Sequence, residues 1–311
     1  MTPKAPGKAA PASRQTARGL TLCTIRRRGG FTLGVRTPRG VLDVERSARA
    51  LRLRAPRDVH EIIEGKDLPA LRRLLAAADG SKRAVFLRED RVPFGPCVTR
   101  PEKIVMMGFN YRRHCLEAKA PIPAQPVFFN KFNNALLGHG GTIPLPVKVA
   151  SQFDYEAELV VVVGRTARDV SPADALSHVF GYCSGNDFSA RDLQFKTSPF
   201  MLGKCCDGFA PIGPWLVGAE LVADPQNLAI ECRVNGELRQ SSSTSDMIFS
   251  CADLVSYASR HMTLKPGDVI FTGTPEGVIL GRPEAERVWL KPGDRISTAV
   301  GSLGELRFTL A

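Results

Sequence analysis

The chain has 311 residues and an ordinary apolar share of 43%, enough to bury a substantial core as one large domain or as a small one plus a larger one. No apolar run approaches the roughly twenty residues of a membrane span, which predicts a soluble protein with no membrane partner. The net charge of +11 is concentrated early, since no acidic residue precedes Asp43. With no helix-turn-helix, zinc-finger or aromatic-basic signature beside it, that charge argues against a nucleic-acid partner and for solubility or the steering of an anionic substrate.

In chain order, residues 1–18 carry Pro3, Pro6 and Pro11, which oppose the amphipathic helix of a targeting peptide, so a disordered basic tail is expected. Residues 20–44 read as short strands punctuated by Arg28-Gly29-Gly30 and Pro38-Arg39-Gly40, a meander. Helical periodicity covers residues 59–63 and 68–77, with Asp67 as the expected N-cap and Asp79-Gly80 as the stop. A small N-terminal α/β-meander domain over 19–100 follows, closed by the Pro-containing linker 92–96, and a larger domain over 101–311.

The second domain opens with an apolar strand at 103–108 and a polar stretch, Asn110 to Glu117. If that stretch is helical, His114 and Glu117 lie three apart on one face, a possible base and its orienter, although such pairs are also common on plain surfaces. Residues 153–163 read as a buried strand, in which Glu156 and Glu158 point to the same face. On spacing alone they suit a solvated face as well as a cation site. A third carboxylate, Asp187, follows the apolar stretch 179–183, and three oxygen ligands without His or Cys suit a hard cation such as Mg²⁺ or Mn²⁺, with Ca²⁺ a further fit.

Beyond these, strands are expected at 212–217, 229–234, 269–271 and 295–300, with Asn235-Gly236 as a hairpin turn and one helix over 251–261. Thr272-Gly273-Thr274-Pro275 lacks the lysine of a phosphate loop, and neither Gly-x-Gly-x-x-Gly nor a βα alternation occurs, so dinucleotide and P-loop folds drop out. Eight cysteines without Cys-x-x-Cys spacing or a signal peptide predict reduced thiols and a cytoplasmic location.

From about residue 101 onward the chain resembles the fumarylacetoacetate hydrolase family, in the branch of acylpyruvate hydrolases and 2-hydroxyhepta-2,4-diene-1,7-dioate isomerases. The resemblance is carried in one order by Gly108-Phe109-Asn110-Tyr111 with His114 and Glu117, by Asp154-Tyr155-Glu156-Ala157-Glu158-Leu159, and by Asn186-Asp187-Phe188-Ser189-Ala190-Arg191-Asp192-Leu193-Gln194. It continues through Leu202-Gly203-Lys204, Gly213-Pro214-Trp215, Val234-Asn235-Gly236-Glu237, the stretch 244–250, Leu264-Lys265-Pro266-Gly267-Asp268 and Thr272-Gly273-Thr274-Pro275. It implies an α+β, mainly β fold with a mixed β-roll, and a homodimer. It also implies Mg²⁺ or Mn²⁺ on Glu156, Glu158 and Asp187, a catalytic set of His114, Glu117 and Lys204, and substrate contacts from Arg191, Gln194 and Thr274.

These groups suit a 2-oxo acid substrate such as an acylpyruvate. His114, oriented by Glu117, would activate the water that attacks the distal carbonyl, while Lys204 and Arg191 offset the surplus negative charge of three carboxylates. Carbon–carbon cleavage would release pyruvate and a carboxylic acid. Decarboxylation of oxaloacetate or isomerisation of a dienedioate in aromatic catabolism would use the same apparatus without the hydrolytic water. The sequence departs from the family's usual pattern at Phe132-Asn133, at Cys205-Cys206-Asp207 and in the lengthened loop 281–289, all placed where they could reshape the pocket for the acyl group.

Overall fold

A computed structural model describes residues 17–311. The basic tail assigned to 1–18 lies outside the described residues except for 17 and 18, which begin the 3₁₀ turn Ala17–Gly19. The chain is α+β and mainly β, built on two large sheets, with a two-stranded pairing of Phe153–Asp154 and Ser189–Ala190 beside them. The larger has eleven strands, and its main path runs from Phe86–Leu87 through Gly40–Asp43, Gly30–Thr37 and Thr21–Arg27 to Ala210–Gly218, Val179–Asn186 and Ala157–Val163. It ends on Val269–Phe271, Ile104–Gly108 and Val127–Lys131. Most ladders are antiparallel, but Val269–Phe271 pairs parallel with Ile104–Gly108, so the sheet is mixed.

The predicted meander is present, with its turns where the glycines stand. Its first strand pairs with Ala210–Gly218 at Thr21↔Val217, so the N-terminal hundred residues extend the same sheet. We propose the division into 19–100 and 101–311 as sequence modules joined through that ladder. The helices Val59–Ile63 and Leu68–Asp79 fall where the periodicity puts them. Asp67 precedes the second helix without capping it through its side chain. Both its carboxylate oxygens go instead to Arg54, at 2.8 and 2.9 Å.

The second sheet has five strands in the order Glu237–Ser243, Ala229–Val234, Arg295–Val300, Glu305–Leu310 and Gly141–Ile143. The central strands Ala157–Val163, Val179–Asn186 and Ala210–Gly218 have no residue exposed to solvent. One apolar core, including Leu159, Val161, Phe188, Phe209, Ile230, Ile296 and Phe308, lies between the sheets. A second, including Leu22, Leu71, Leu74, Val160, Val162 and Phe271, covers the other face of the large sheet under the N-terminal helices. Alternate residues of Ala157–Val163 thus serve different cores, as a strand buried on both faces requires.

The expected continuous strand over 153–163 is broken. Phe153–Asp154 and Ala157–Val163 are separate strands, with Tyr155 and Glu156 between them. The main-chain N–H groups of Tyr155 and Glu156 are taken by side chains, Asp154 Oδ1 at 2.9 Å and Asn186 Oδ1 at 3.2 Å. Side-chain acceptors have replaced the ladder, and the break turns Glu156 toward Asp187.

Candidate active site

Glu158 stands on the second residue of the Ala157–Val163 strand, opposite Gly185, and Asp187 follows the end of the Val179–Asn186 strand. Ligand oxygens of Glu156, Glu158 and Asp187 lie within 4.8 Å of one another, and all three residues are buried. Two short helices bring cations to them. Arg191–Gln194 carries Arg191, and Met201–Lys204 carries Lys204. The helices are in contact at Gly203, where a Cβ would stand 2.4 Å from the Gln194 nitrogen.

Lys204 Nζ donates to Glu156 Oε2 at 2.7 Å and to Asp187 Oδ2 at 2.8 Å. Arg191 donates to Glu156 Oε1 at 2.6 Å, to Asp154 Oδ2 at 2.9 Å and to Gln194 Oε1 at 3.0 Å. Burial works to raise the pKa of Glu156, but Arg191 and then Lys204 outweigh it and bring the carboxyl down to about 2. The same pairing overrides burial at Lys204 and holds its ammonium above the usual range.

Two participants were not singled out from the sequence. Asp154 accepts from Arg191 and, through both oxygens, from the main-chain N–H groups of Ile279 and Leu280. Lys131, fully buried at the end of its strand, lies 2.6 Å from Asp187 Oδ1, in ion-pair contact but misaligned for a hydrogen bond. Its protons go to the carbonyls of Phe188 and Phe209, and burial, only partly offset by Asp187, lowers its pKa. A lysine closing the apolar strand Val127–Lys131 is a sequence signal for a buried counter-ion.

Glu158 is the exception in this network. It accepts one hydrogen bond, from Gly273 N–H at 2.7 Å, and meets no cationic side chain among the described residues. Gly273 has φ of +93° and its missing Cβ would lie 2.7 Å from that of Asn110, so this approach to the carboxylate requires glycine. Burial, then Asp187 and Glu156, pushes the Glu158 pKa well above the ordinary carboxylate range. With every group ionised, Asp154, Glu156, Glu158 and Asp187 against Lys131, Arg191 and Lys204 would leave one uncompensated negative charge, at Glu158, which is why its carboxyl resists ionisation. A divalent cation on this all-oxygen set would remove the deficit and leave a net positive site, so the residues fit the metal.

His114 and Glu117 do share a helix, Arg112–Glu117, and its inner face. His114 Nδ1 is 3.2 Å from Glu117 Oε2, while Glu117 Oε1 accepts from Gly277 N–H at 2.9 Å. With the proton on Nδ1, Nε2 keeps its lone pair. Phe109 stacks on the imidazole at 5.8 Å between centroids and holds φ of +54°, a left-handed conformation unusual for a bulky residue. The helix is fastened by Arg113, which pairs with Glu276 at 3.1 Å and hydrogen-bonds Ser242 at 2.8 Å. Asn110 bonds the Phe249 and Thr272 carbonyls.

A cavity of about 610 Å³ joins these groups. His114, Glu117, Glu156, Glu158, Asp187, Arg191, Gln194, Lys204 and Thr274 all line it, so every residue singled out from the sequence reaches one space. The Thr274 hydroxyl donates to the Ala157 carbonyl and accepts from Gln240, which leaves its proton committed to the strand. Phe109, Phe129, Phe195, Phe200, Val278 and Leu280 make the rest of the wall largely apolar. All eight cysteines are thiols, and no helix among the described residues is long and apolar enough to cross a membrane.

Residues 103–311 match the family described as fumarylacetoacetate (FAA) hydrolase, C-terminal. A relative from Bos taurus, the mitochondrial oxaloacetate tautomerase FAHD2B, is 40% identical over 269 residues, which is 85% of this chain and 82% of that protein. Among solved structures, the fumarylacetoacetate hydrolase of Exiguobacterium antarcticum superposes with a TM-score of 0.77 at 33% identity, covering 94% of this chain and 99% of that one. The fumarylpyruvate hydrolase of Pseudomonas aeruginosa, solved with Mn²⁺ and pyruvate, gives a TM-score of 0.62 at 33% identity over 75% of this chain and 93% of that one.

Proposed function

The chain belongs to the fumarylacetoacetate hydrolase family, and from that premise we propose that it is a metal-dependent hydrolase cleaving a carbon–carbon bond in acylpyruvate-like 2-oxo acids. The observation that carries the reading is the meeting, in one cavity, of an under-compensated carboxylate triad and a His–Glu pair. In this proposal Glu156, Glu158 and Asp187 hold Mg²⁺ or Mn²⁺, which when bound supplies Lewis-acid stabilisation of the enolate released by cleavage.

The protein's own groups do the rest. Glu117, anchored by Gly277, fixes the His114 tautomer with its proton on Nδ1, and Nε2 then takes a proton from the attacking water. Lys204 and Arg191 offset the charge of Glu156 and Asp187, which lessens the repulsion of an anionic substrate. Arg191 accounts for the Gln194 carbonyl, which leaves the Gln194 amide N–H groups to meet substrate oxygen. Thr274 shapes the carboxylate end through its position, since its hydroxyl is already bonded. The apolar wall takes the acyl chain and limits water around the leaving group.

The test is pyruvate release from acetylpyruvate and fumarylpyruvate with Mg²⁺ or Mn²⁺ and with chelator. Turnover abolished by chelator is expected; a chelator-insensitive rate, or none on any acylpyruvate, overturns the reading.

A second reading is favoured by the 40% identity to a protein named oxaloacetate tautomerase. The same base and cations can move a proton between carbon and oxygen of oxaloacetate without a hydrolytic water, or support its decarboxylation. Following the enol absorbance and CO₂ release separates the three outcomes, because only decarboxylation yields CO₂ and only tautomerisation conserves mass. The homodimer stays part of the proposal, with sedimentation velocity as its test. So does the cytoplasmic location, which fractionation would decide against the mitochondrial location that the relative's name carries.

A further inference from the structure

The cavity has cationic groups that the proposed chemistry does not use. Arg282 and Arg287, on the lengthened loop, line the same space as His114 and the carboxylate triad. Both are half-buried. Neither is paired with an acidic side chain among the described residues, whereas Arg191, Lys204 and Lys131 each are. Glu284 and Glu286, on the same loop, are exposed and are not among the cavity's lining residues.

The loop that carries the two arginines is anchored. Arg287 Nε donates to the Arg282 carbonyl at 2.9 Å, closing the loop on itself. The loop's root is tied to the site, since Ile279 and Leu280 N–H groups bond the Asp154 carboxylate that also holds Arg191. Gly281 abuts Glu117. The loop that carries the arginines is therefore anchored beside the reacting centre, and the apolar Val278 and Leu280 line the same cavity. Partly desolvated guanidinium groups without a protein counter-ion suit a carboxylate, which they can bind with paired, charge-assisted hydrogen bonds.

We propose that Arg282 and Arg287 receive a second carboxylate, so that this protein selects 2-oxo dicarboxylates over 2-oxo monocarboxylates. The assignment rests on the reading of the site as one for 2-oxo acids. One carboxylate lies at the Glu156–Glu158–Asp187 end, and the other is bound by the loop.

The experiment compares fumarylpyruvate with acetylpyruvate in the wild type, in Arg282→Met and Arg287→Met singly, and in the double variant. Methionine keeps the stem's packing while removing charge and donors. The ratio of kcat/KM for the dicarboxylate over the monocarboxylate should fall about 10- to 100-fold per arginine, mainly through KM for fumarylpyruvate. Arg287→Lys should restore part of it. Equal losses on both substrates, or no loss on either, overturn the proposal. If the wild type hydrolyses neither compound, the hydrolase reading fails separately. Fluorescence of Trp289, on the same loop, then reports titration with oxaloacetate and pyruvate in added Mg²⁺. A wild-type preference for oxaloacetate that disappears in the double variant supports the arginine assignment; an unchanged preference, or none in the wild type, overturns it.

Discussion

Gly281 lies so close to Glu117 that a Cβ at position 281 would stand 2.3 Å from Glu117 Cδ and 2.5 Å from its Oε2. Oε2 is the atom that meets His114 Nδ1, so a methyl group here pushes on the orienter of the proposed base. Gly281→Ala should keep the fold, because the obstructed atoms end a side chain that can swing away. In the proposed hydrolysis, kcat should drop about tenfold, a fraction of the ~10² to 10⁴ that general-base catalysis supplies. An unchanged kcat at an unchanged melting temperature would show that Glu117 does not need this position.

Removing the base itself should cost the whole contribution. His114→Ala is expected to lower kcat by ~10² to 10⁴, and Glu117→Gln by less, since an amide can still hold the imidazole but stabilises its cation poorly. Neither change touches the carboxylate triad, so metal-induced thermal stabilisation should persist in both. Loss of that stabilisation together with activity would mean that the helix Arg112–Glu117 had collapsed, and the rate effect could not be assigned to proton transfer.

Glu156 and Glu158 should respond oppositely to neutralisation in metal-free protein. Glu156 is shared by Arg191 and Lys204, so Glu156→Gln leaves these buried cations with only Asp154 and Asp187 as counter-ions, a defect costing up to ~3–5 kcal/mol. Glu158 has no cationic partner among the described residues and suffers from its two carboxylate neighbours, so Glu158→Gln should leave the metal-free protein as stable as the wild type or more so. Both variants should lose the stabilisation by Mg²⁺ or Mn²⁺, which in the wild type is about 2.7 kcal/mol at a hundredfold excess over Kd. Urea melts with chelator and with saturating metal check this. A Glu158→Gln protein clearly weakened without metal would refute the charge account.

The contrast between these two residues also marks how far the sequence was legible. Motif order placed all nine singled-out side chains on one cavity, because each motif is local and the family's order carries the long-range information. Strand periodicity put Glu156 and Glu158 on one unbroken ladder, yet Asp154 and Asn186 capture the main-chain N–H groups between them and end the first strand at residue 154. Spacing does not encode such side-chain substitutions for a ladder. Lys131 and Asp154 escaped for a related reason. Their partners are 56 and 37 residues away, and only the packing of separate strands and helices brings the charges together. Elements set by local chemistry fared better: the Leu68–Asp79 and Cys251–His261 helices and the Asn235-Gly236 hairpin stand where pattern and turn residues put them.

His60 should give the protein a specific acid sensitivity. The ring is buried under residues 99–100, and its Nε2 accepts from the main-chain N–H groups of Thr99 and Arg100 at 3.3 and 3.2 Å. Burial first, then Arg100, lowers its pKa from 6.5 to about 4. A base that is harder to protonate when folded stabilises the folded state above its unfolded pKa. Below about pH 6.5 the unfolded chain binds a proton that the folded chain refuses, so stability falls with pH down to about 4 and then levels off for this group. Each unit of difference is worth about 1.4 kcal/mol. His60→Gln keeps an acceptor for the two N–H groups and removes the titration. Urea midpoints at pH 7 and pH 5 should therefore differ less in the variant than in the wild type, the remaining slope belonging to carboxylates. An identical pH dependence in the two proteins would place the acid sensitivity elsewhere and show that the His60 ring protonates in place.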